Sequence, residues 1–342
     1  MPFRVCIARD FDHMSEVAAS LVVNIINDVL KGKEFCTLGL ATGNTPTGLY
    51  KHLAKAANSG AFDSGRITSF NLDEYIGLPG DNAQQRALHP ESYSFFMIQE
   101  LFGLLNKKFR EVNVPWGTLV DQKRLISELE IHPGDWEEQG TDKGKAVVIR
   151  ADAQSSYLKW IREEILDAYA RKIERSGGID LHVIGVGGRG HVAFHESGIP
   201  FAGNRMLLVR LDDNTVANAV NDGHFPSQDQ SPRYAISMGA ELVYQAKTVL
   251  LLANGPRKAA PVAESLLNDT TALVPISYGK ICSRQGGMML YVLDSAAASS
   301  VLENTDPIRE QGIEIENLSD KGAKRRVEDL QFFRNPTTGQ MG

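Results

Sequence analysis

Four apolar runs in this chain each end in residues whose types and spacing could do chemistry. LGLATGNTPTGLYKHL carries a strand-like run into Thr42, Gly43, Asn44 and Thr45, with Pro46 opening the helical pattern that follows. Backbone N–H groups of such a small-residue turn, beside a helix N-terminus, form a cradle for an anion such as phosphate. An ordinary turn in which Gly43 supplies an unusual backbone angle would have the same composition. SFNLDEYIGL places Asp73 directly after a strand-like run. A carboxylate there, partly shielded from water, can take a proton from carbon, although a cap or turn uses the same residue type. IDLHVIGVGGRGHVAFHES ends in a glycine-rich turn bearing His191, followed by Glu196; histidine is the side chain suited to shuttling a proton near neutral pH, and an acidic neighbour can orient it. TVLLLANGPRKAAPVAESLL delivers Lys258 at the start of a helical pattern, where it adds a point charge to a helix-terminus anion site or simply lies in solvent.

Two further patterns compete for the same residues. His191 and His195 are spaced i, i+4, as metal ligands on a helix can be, but no third ligand accompanies them at a recognisable spacing and the HExxH pattern is absent, so no metal is expected. Gly185, Gly187 and Gly190 form a literal GxGxxG, with Asp212 and Asp213 about 20 residues further on. A dinucleotide fingerprint needs a full helix opening at the third glycine, and Gly198, Pro200 and Gly203 interrupt that segment.

The elements that must position these residues are legible as a pattern. Runs rich in β-branched residues at 4–8, 35–41, 67–72, 181–187, 206–211, 248–254 and 288–294 read as strands buried on both faces. Between them, Met14, Val17, Ala18, Leu21, Val22, Ile25, Ile26 and Val29 follow the i, i+3, i+4 spacing of one apolar helix stripe. The alternation predicts an α/β fold, a doubly wound, mostly parallel sheet with helices on both faces and one main domain over 1–302. Ligands of such sheets bind outside the carboxyl ends of the strands, which is where all four segments place their polar residues. Residues 111–150, with Pro115, Pro133, Gly134, Gly140 and Gly144, are expected to form a surface insertion, followed by a long helix from near Ala153 to Ser176-Gly177-Gly178. The polar stretch 303–342, basic at 321–326, is expected as a loosely docked tail.

Taken together and in this order, the segments resemble the glucosamine-6-phosphate deaminase family, whose pattern includes TG-x-TP, N-x-DEY, HPESY, G-x-G-x-DGH-x-AF-x-E and G-x-x-KA. This chain has ATGNTP at 41–46, NLDEY at 71–75, HPESY at 89–93, GVGGRGHVAFHE at 185–196 and GPRKA at 255–259. The related 6-phosphogluconolactonases typically have DER where this chain reads DEY. The resemblance implies the ribose-5-phosphate-isomerase type of α/β fold and conversion of glucosamine 6-phosphate and water to fructose 6-phosphate and ammonium, with no cofactor. It implies that the residue matching His191 opens the sugar ring, that Asp73 moves the C2 proton to C1, that Glu196 supports the histidine, and that the 42–45 turn and Lys258 hold phosphate. Two positions depart from the family. Its aspartate two residues before the histidine is Arg189 here, and its phosphate-binding arginine after V-A-N is replaced, since Val216-Ala217-Asn218 is followed by Ala219 and Val220. Arg189 cannot accept a hydrogen bond from the histidine, but its planar donors could take over the phosphate contact. The alternatives are the same fold acting on another hexosamine phosphate or on 6-phosphogluconolactone, or, as these departures raise, a sugar-phosphate-binding protein without catalysis.

Composition narrows the partners. Of 342 residues, 42% are apolar, enough for a substantial core, and 36 Lys plus Arg against 42 Asp plus Glu give a net charge of -6 with no positive excess for nucleic acid. Cys6, Cys36 and Cys282 form no CxxC pair and read as buried thiols of a reducing compartment. With no signal-peptide pattern and no run of about 18 apolar residues, a cytoplasmic protein off the membrane is expected. Assembly into a homo-oligomer is left open.

Overall fold

A computed structural model describes residues 2–141, 144–212, 216, 220 and 225–319. Eight strands form one sheet in the order β13-β1-β12-β11-β8-β2-β3-β5, where β1 is Phe3–Ala8, β2 Cys36–Leu40, β3 Ile67–Asn71, β5 Glu111–Asn113, β8 Leu181–Ile184, β11 Thr248–Ala253, β12 Met288–Asp294 and β13 Glu314–Asn317. Every pairing in this sheet is parallel. Parallel strands are covered on both faces, and their side chains alternate between two cores. Val5, Ile7, Leu251 and Leu293 enter one core, and Cys6, Ala8, Leu250 and Leu252 enter the other. Helices α1 (Phe11–Gly32) and α2 (Thr47–Asn58) pack on the second of these cores, while Tyr169, Val262 and Cys282 of later helices pack on the first. In α1, Asp10 caps the N-terminus by accepting from the His13 N–H, and the expected stripe is buried at Met14, Val17, Ala18, Leu21, Val22 and Ile26.

From β2 the chain builds outward through β3 to β5, then returns to β8 on the other side of β2 and builds the opposite way through β11 and β12. The direction of winding therefore reverses between β2 and β8. The crevice beyond their carboxyl ends is the topological switch point, the place where such sheets bind ligands.

A second, antiparallel sheet was not expected. It runs β4-β10-β9-β7-β6, with β4 Asp73–Ile76, β6 Trp136–Gln139, β7 Lys145–Ile149, β9 Met206–Arg210 and β10 Tyr234–Met238. Leu72 joins the sheets, donating its N–H to Leu40 O at 3.1 Å and accepting from Met238 N at 2.7 Å. The run at 206–211, expected beside the parallel strands, belongs here. Leu208 enters one core and Leu207 and Val209 another, so a strand covered on both faces in an antiparallel sheet has the same apolar signature.

Two expected boundaries are corrected. Residues 111–150 are not a surface insertion: they supply the edge strand β5, the β6–β7 hairpin and the helix Gln122–Ile131, whose Leu125 and Leu129 are buried. The prolines and glycines that suggested a loop punctuate short elements instead. Nor does the body end at 302, since β13 pairs with β1 and Ile308, Ile313 and Leu318 are buried; a polar edge strand simply lacks an apolar run. The remainder of the expected tail, with the basic 321–326 stretch, lies outside the described residues. The helix expected from near Ala153 is found at 156–175, capped by Ser155, with a wider π-type turn at Ile161–Asp167.

Candidate active site

The turn after β2 occupies the switch point. Gly43 has φ +96 with open space where a Cβ would project, so glycine is required there by backbone geometry alone. The chain then enters α2, whose first turn carries neither an acidic residue nor a side-chain cap, so no carboxylate offsets the helix dipole there. Tyr50 Oη donates to Ala41 O and Thr47 Oγ1 to Asn44 O, fastening the turn to its own helix.

A second turn follows β11. Gly255, at φ +84, donates its N–H to both carboxylate oxygens of Asp294, at 3.1 and 3.0 Å, and Asp294 also accepts from Ala297 N at 2.7 Å. This turn delivers half-buried Lys258 to the start of the helix Ala259–Leu267. Desolvation, helped by the Arg257 cation, lowers the Lys258 pKa, and among the described residues Lys258 makes no ion pair. The two turns meet where Thr45 Oγ1 donates to Asn254 Oδ1 at 2.8 Å.

Asp73 begins β4 where the chain leaves one sheet for the other, and it is 6% exposed. Burial first, and the Glu74 charge second, push its carboxyl up to about 8, against a single opposing hydrogen bond from Thr42 Oγ1 at 3.4 Å. Glu74 is fully buried and serves a different purpose. Its carboxylate accepts from the backbone N–H groups of Tyr75, Tyr93 and Ser94 and the hydroxyls of Ser92 and Ser94. It thereby caps the helix Tyr93–Glu100 from outside and fixes HPESY beside Asp73. The Tyr75 and Tyr93 hydroxyls are 3.2 Å apart, and both rings lie against Phe194.

The turn after β8 carries the histidine. His191 Nδ1 is 2.9 Å from Glu196 Oε2, which leaves Nε2 for another partner. The ring lies over Gly187, where any Cβ would run into its Nε2, Cε1 and Cδ2 atoms. No helix opens at Gly190: the chain makes a tight turn closed by a Val192–His195 bridge, so the dinucleotide fingerprint lacks its helix. His195 is buried with both ring nitrogens engaged, Nδ1 accepting from Ala240 N and Nε2 donating to Ile199 O, each at 3.1 Å. The i, i+4 histidines therefore do not form a ligand pair. Arg189, on the same turn, borders a cavity of about 440 Å³ with Thr141, Ser197, Pro261, Glu264 and Val274, along the helix that Lys258 begins. Ala217 and Asn218 of the V-A-N segment, and Ala219 after it, lie outside the described residues.

The structure thus brings Thr42 against Asp73, Thr45 against the turn that carries Lys258, and Glu196 against His191. Glu74, Asn254 and Asp294 escaped the sequence reading as site residues. Asn254 and Asp294 had a usable signal, since each is the polar residue that ends a buried parallel strand.

An α/β sheet that gathers a small-residue turn at a helix N-terminus, a half-buried lysine, a desolvated carboxylate and a carboxylate-supported histidine around one switch point has the framework of an enzyme. Solved structures agree on the fold. A monomeric glucosamine-6-phosphate deaminase matches 87% of this chain and 99% of its own with a TM-score of 0.63 and 26% identity, and the 6-phosphogluconolactonase of Trypanosoma cruzi matches 88% and 98% with a TM-score of 0.57 and 19% identity. No family model matches the sequence. The chain nevertheless belongs to the glucosamine-6-phosphate deaminase family. It is 33% identical to the glucosamine-6-phosphate deaminase of Thermoanaerobacter sp. (strain X514) over 272 residues, 80% of this chain and 86% of the relative, and 32% identical to that of Clostridioides difficile (strain 630) over 298 residues, 87% and 96%. Among the described residues no helix is long and apolar enough to cross a membrane.

Proposed function

We propose that this protein converts glucosamine 6-phosphate and water to fructose 6-phosphate and ammonium, using its own side chains alone. The 42–45 turn, the N-terminus of α2 and Lys258 hold the phosphate. Arg189 adds a cation on the side of the Lys258 helix, in place of the arginine that Val220 replaces. With the phosphate fixed, the far end of the sugar reaches Asp73 and His191, and positioning of this kind contributes several kcal/mol to lowering a barrier.

His191 delivers a proton from Nε2 to the ring oxygen and takes back the one that the C1 hydroxyl loses, opening the ring to the aldehyde. Its Nδ1–H bond to Glu196 stabilises the imidazolium between transfers. Asp73 then removes the C2 proton as O1 takes one up, giving an enolamine, and returns it at C1 as the ammonium group on C2 gives one up, leaving a protonated ketose imine at C2. Water adds to that carbon and ammonium departs, which balances the reaction. The observation that carries this reading is the environment of Asp73. A carboxyl raised to about 8 by burial is a stronger base toward carbon than an exposed one, and it lies beside the hydroxyl of the anion turn. Ammonium release from a panel of hexosamine 6-phosphates tests the proposal: release from glucosamine 6-phosphate is expected, and hydrolysis of 6-phosphogluconolactone without any ammonium release would overturn it.

A further inference from the structure

We infer that His195 is a positioning residue, whose clamped ring holds the loop bearing His191 and Glu196 in place relative to Asp73; its role in turnover rests on the reaction proposed above. His195 immediately precedes Glu196, so a shift of its backbone moves the carboxylate that supports His191. Its ring is fully buried, and the Ala240 N–H pointing at Nδ1 makes that nitrogen the acceptor. The proton is therefore on Nε2, where it is donated to Ile199 O. One side chain thus ties the loop to Ala240 and closes it locally onto Ile199, four residues on.

The neighbouring residue makes a parallel attachment. Phe194 N donates to Ser237 Oγ at 3.1 Å, and Ser237 is the residue paired with Asp73 across the β10–β4 ladder. Consecutive loop residues are therefore pinned to Ser237, on the strand that pairs with Asp73, and to Ala240, two residues beyond the end of that strand. The loop needs such pins, because Ala193 between His191 and His195 is held at φ +50, the only non-glycine residue at positive φ among the described residues. A strained backbone of this kind persists only when its surroundings over-determine it. A residue that merely filled space would need neither hydrogen bond, and a phenylalanine would replace it.

The test uses the full-length protein. In wild type the His191 Nδ1–H proton, shielded by Glu196, should give an exchange-protected imidazole resonance, assigned by its disappearance in His191→Gln. For His195→Phe the expectation is that this resonance is lost and kcat for ammonium release falls about tenfold or more, with KM within about threefold because the phosphate turns are untouched. His195→Asn, which keeps an acceptor for the Ala240 N–H, should retain the resonance and most of kcat. Should His195→Phe fail to fold, His195→Gln, which keeps a donor toward Ile199 but loses the Ala240 acceptor, is expected to lower kcat about threefold or more at unchanged KM. An unchanged resonance and kcat in His195→Phe, or unchanged kcat in His195→Gln where His195→Phe does not fold, would overturn the inference. A wild type that shows the resonance yet releases no ammonium would instead overturn the proposed reaction, with the resonance still deciding whether His195 positions the loop.

Discussion

Thr45 and Asn254 stand 209 positions apart in the chain and are joined by a 2.8 Å hydrogen bond from Oγ1 to Oδ1. This bond makes one unit of the turns after β2 and β11. Replacing Thr45 by Val removes it with almost no change of volume. The expected result is a KM for the sugar phosphate raised roughly twofold to tenfold, the equivalent of about 0.5 to 1.5 kcal/mol, with kcat unchanged. Steady-state kinetics checks this, and a lowered kcat at constant KM would contradict it.

Lys258→Ala removes a desolvated cation rather than a neutral contact. The loss should be larger, roughly 1.5 to 3 kcal/mol in affinity for a phosphorylated ligand. Calorimetric titration with inorganic phosphate and with a hexosamine 6-phosphate should show both weakened together. If neither changes, Lys258 is a surface lysine.

The Asp73 carboxyl gives a pH profile with a definite sign. With its pKa at about 8, roughly a tenth is ionised at pH 7, so kcat/KM should rise with pH on a limb centred near 8. Stability runs the other way. A group whose folded pKa is raised contributes stability fully below its unfolded value of 3.8, and that contribution is lost as pH rises through about 8. Asp73→Asn should therefore melt higher than wild type at pH 8 to 9, with the difference closing toward pH 4. Equal melting temperatures across that range would show that burial of the charge is not what raises the Asp73 pKa.

Gly187 is absent from the positive-φ positions, so alanine there meets no backbone objection. The added Cβ instead runs into the His191 ring. Gly187→Ala should displace the imidazole from Glu196, lowering kcat by about tenfold to a hundredfold while leaving phosphate affinity within about twofold. A crystal structure of the variant with the His191–Glu196 bond intact would contradict the steric argument.

Much of this was legible in the sequence because parallel strands announce themselves. Leu38, Val183, Leu250 and Val292 sit in short apolar runs that read as strands covered on both faces, and the polar residues that follow those runs form the candidate site. The antiparallel sheet was not legible. Its β9 has the same apolar signature, and β6, with Glu137, Glu138 and Gln139, has a polar one. Glu74 was hidden for another reason: its five donors come from Tyr75 and from 92–94, so its role depends on where HPESY lies in space. His195 offered the sequence only an i, i+4 spacing with His191 that lacked a third ligand, and spacing cannot reveal that both of its ring nitrogens are bonded to backbone.

If Asp73 carries the proton from C2 to C1, Asp73→Asn is the variant that must fail. The amide keeps the size and removes the base, so ammonium release from glucosamine 6-phosphate should fall by about a hundredfold to ten-thousandfold, while sugar-phosphate affinity stays within about tenfold of wild type. Ammonium release by this variant at the wild-type rate would contradict the account.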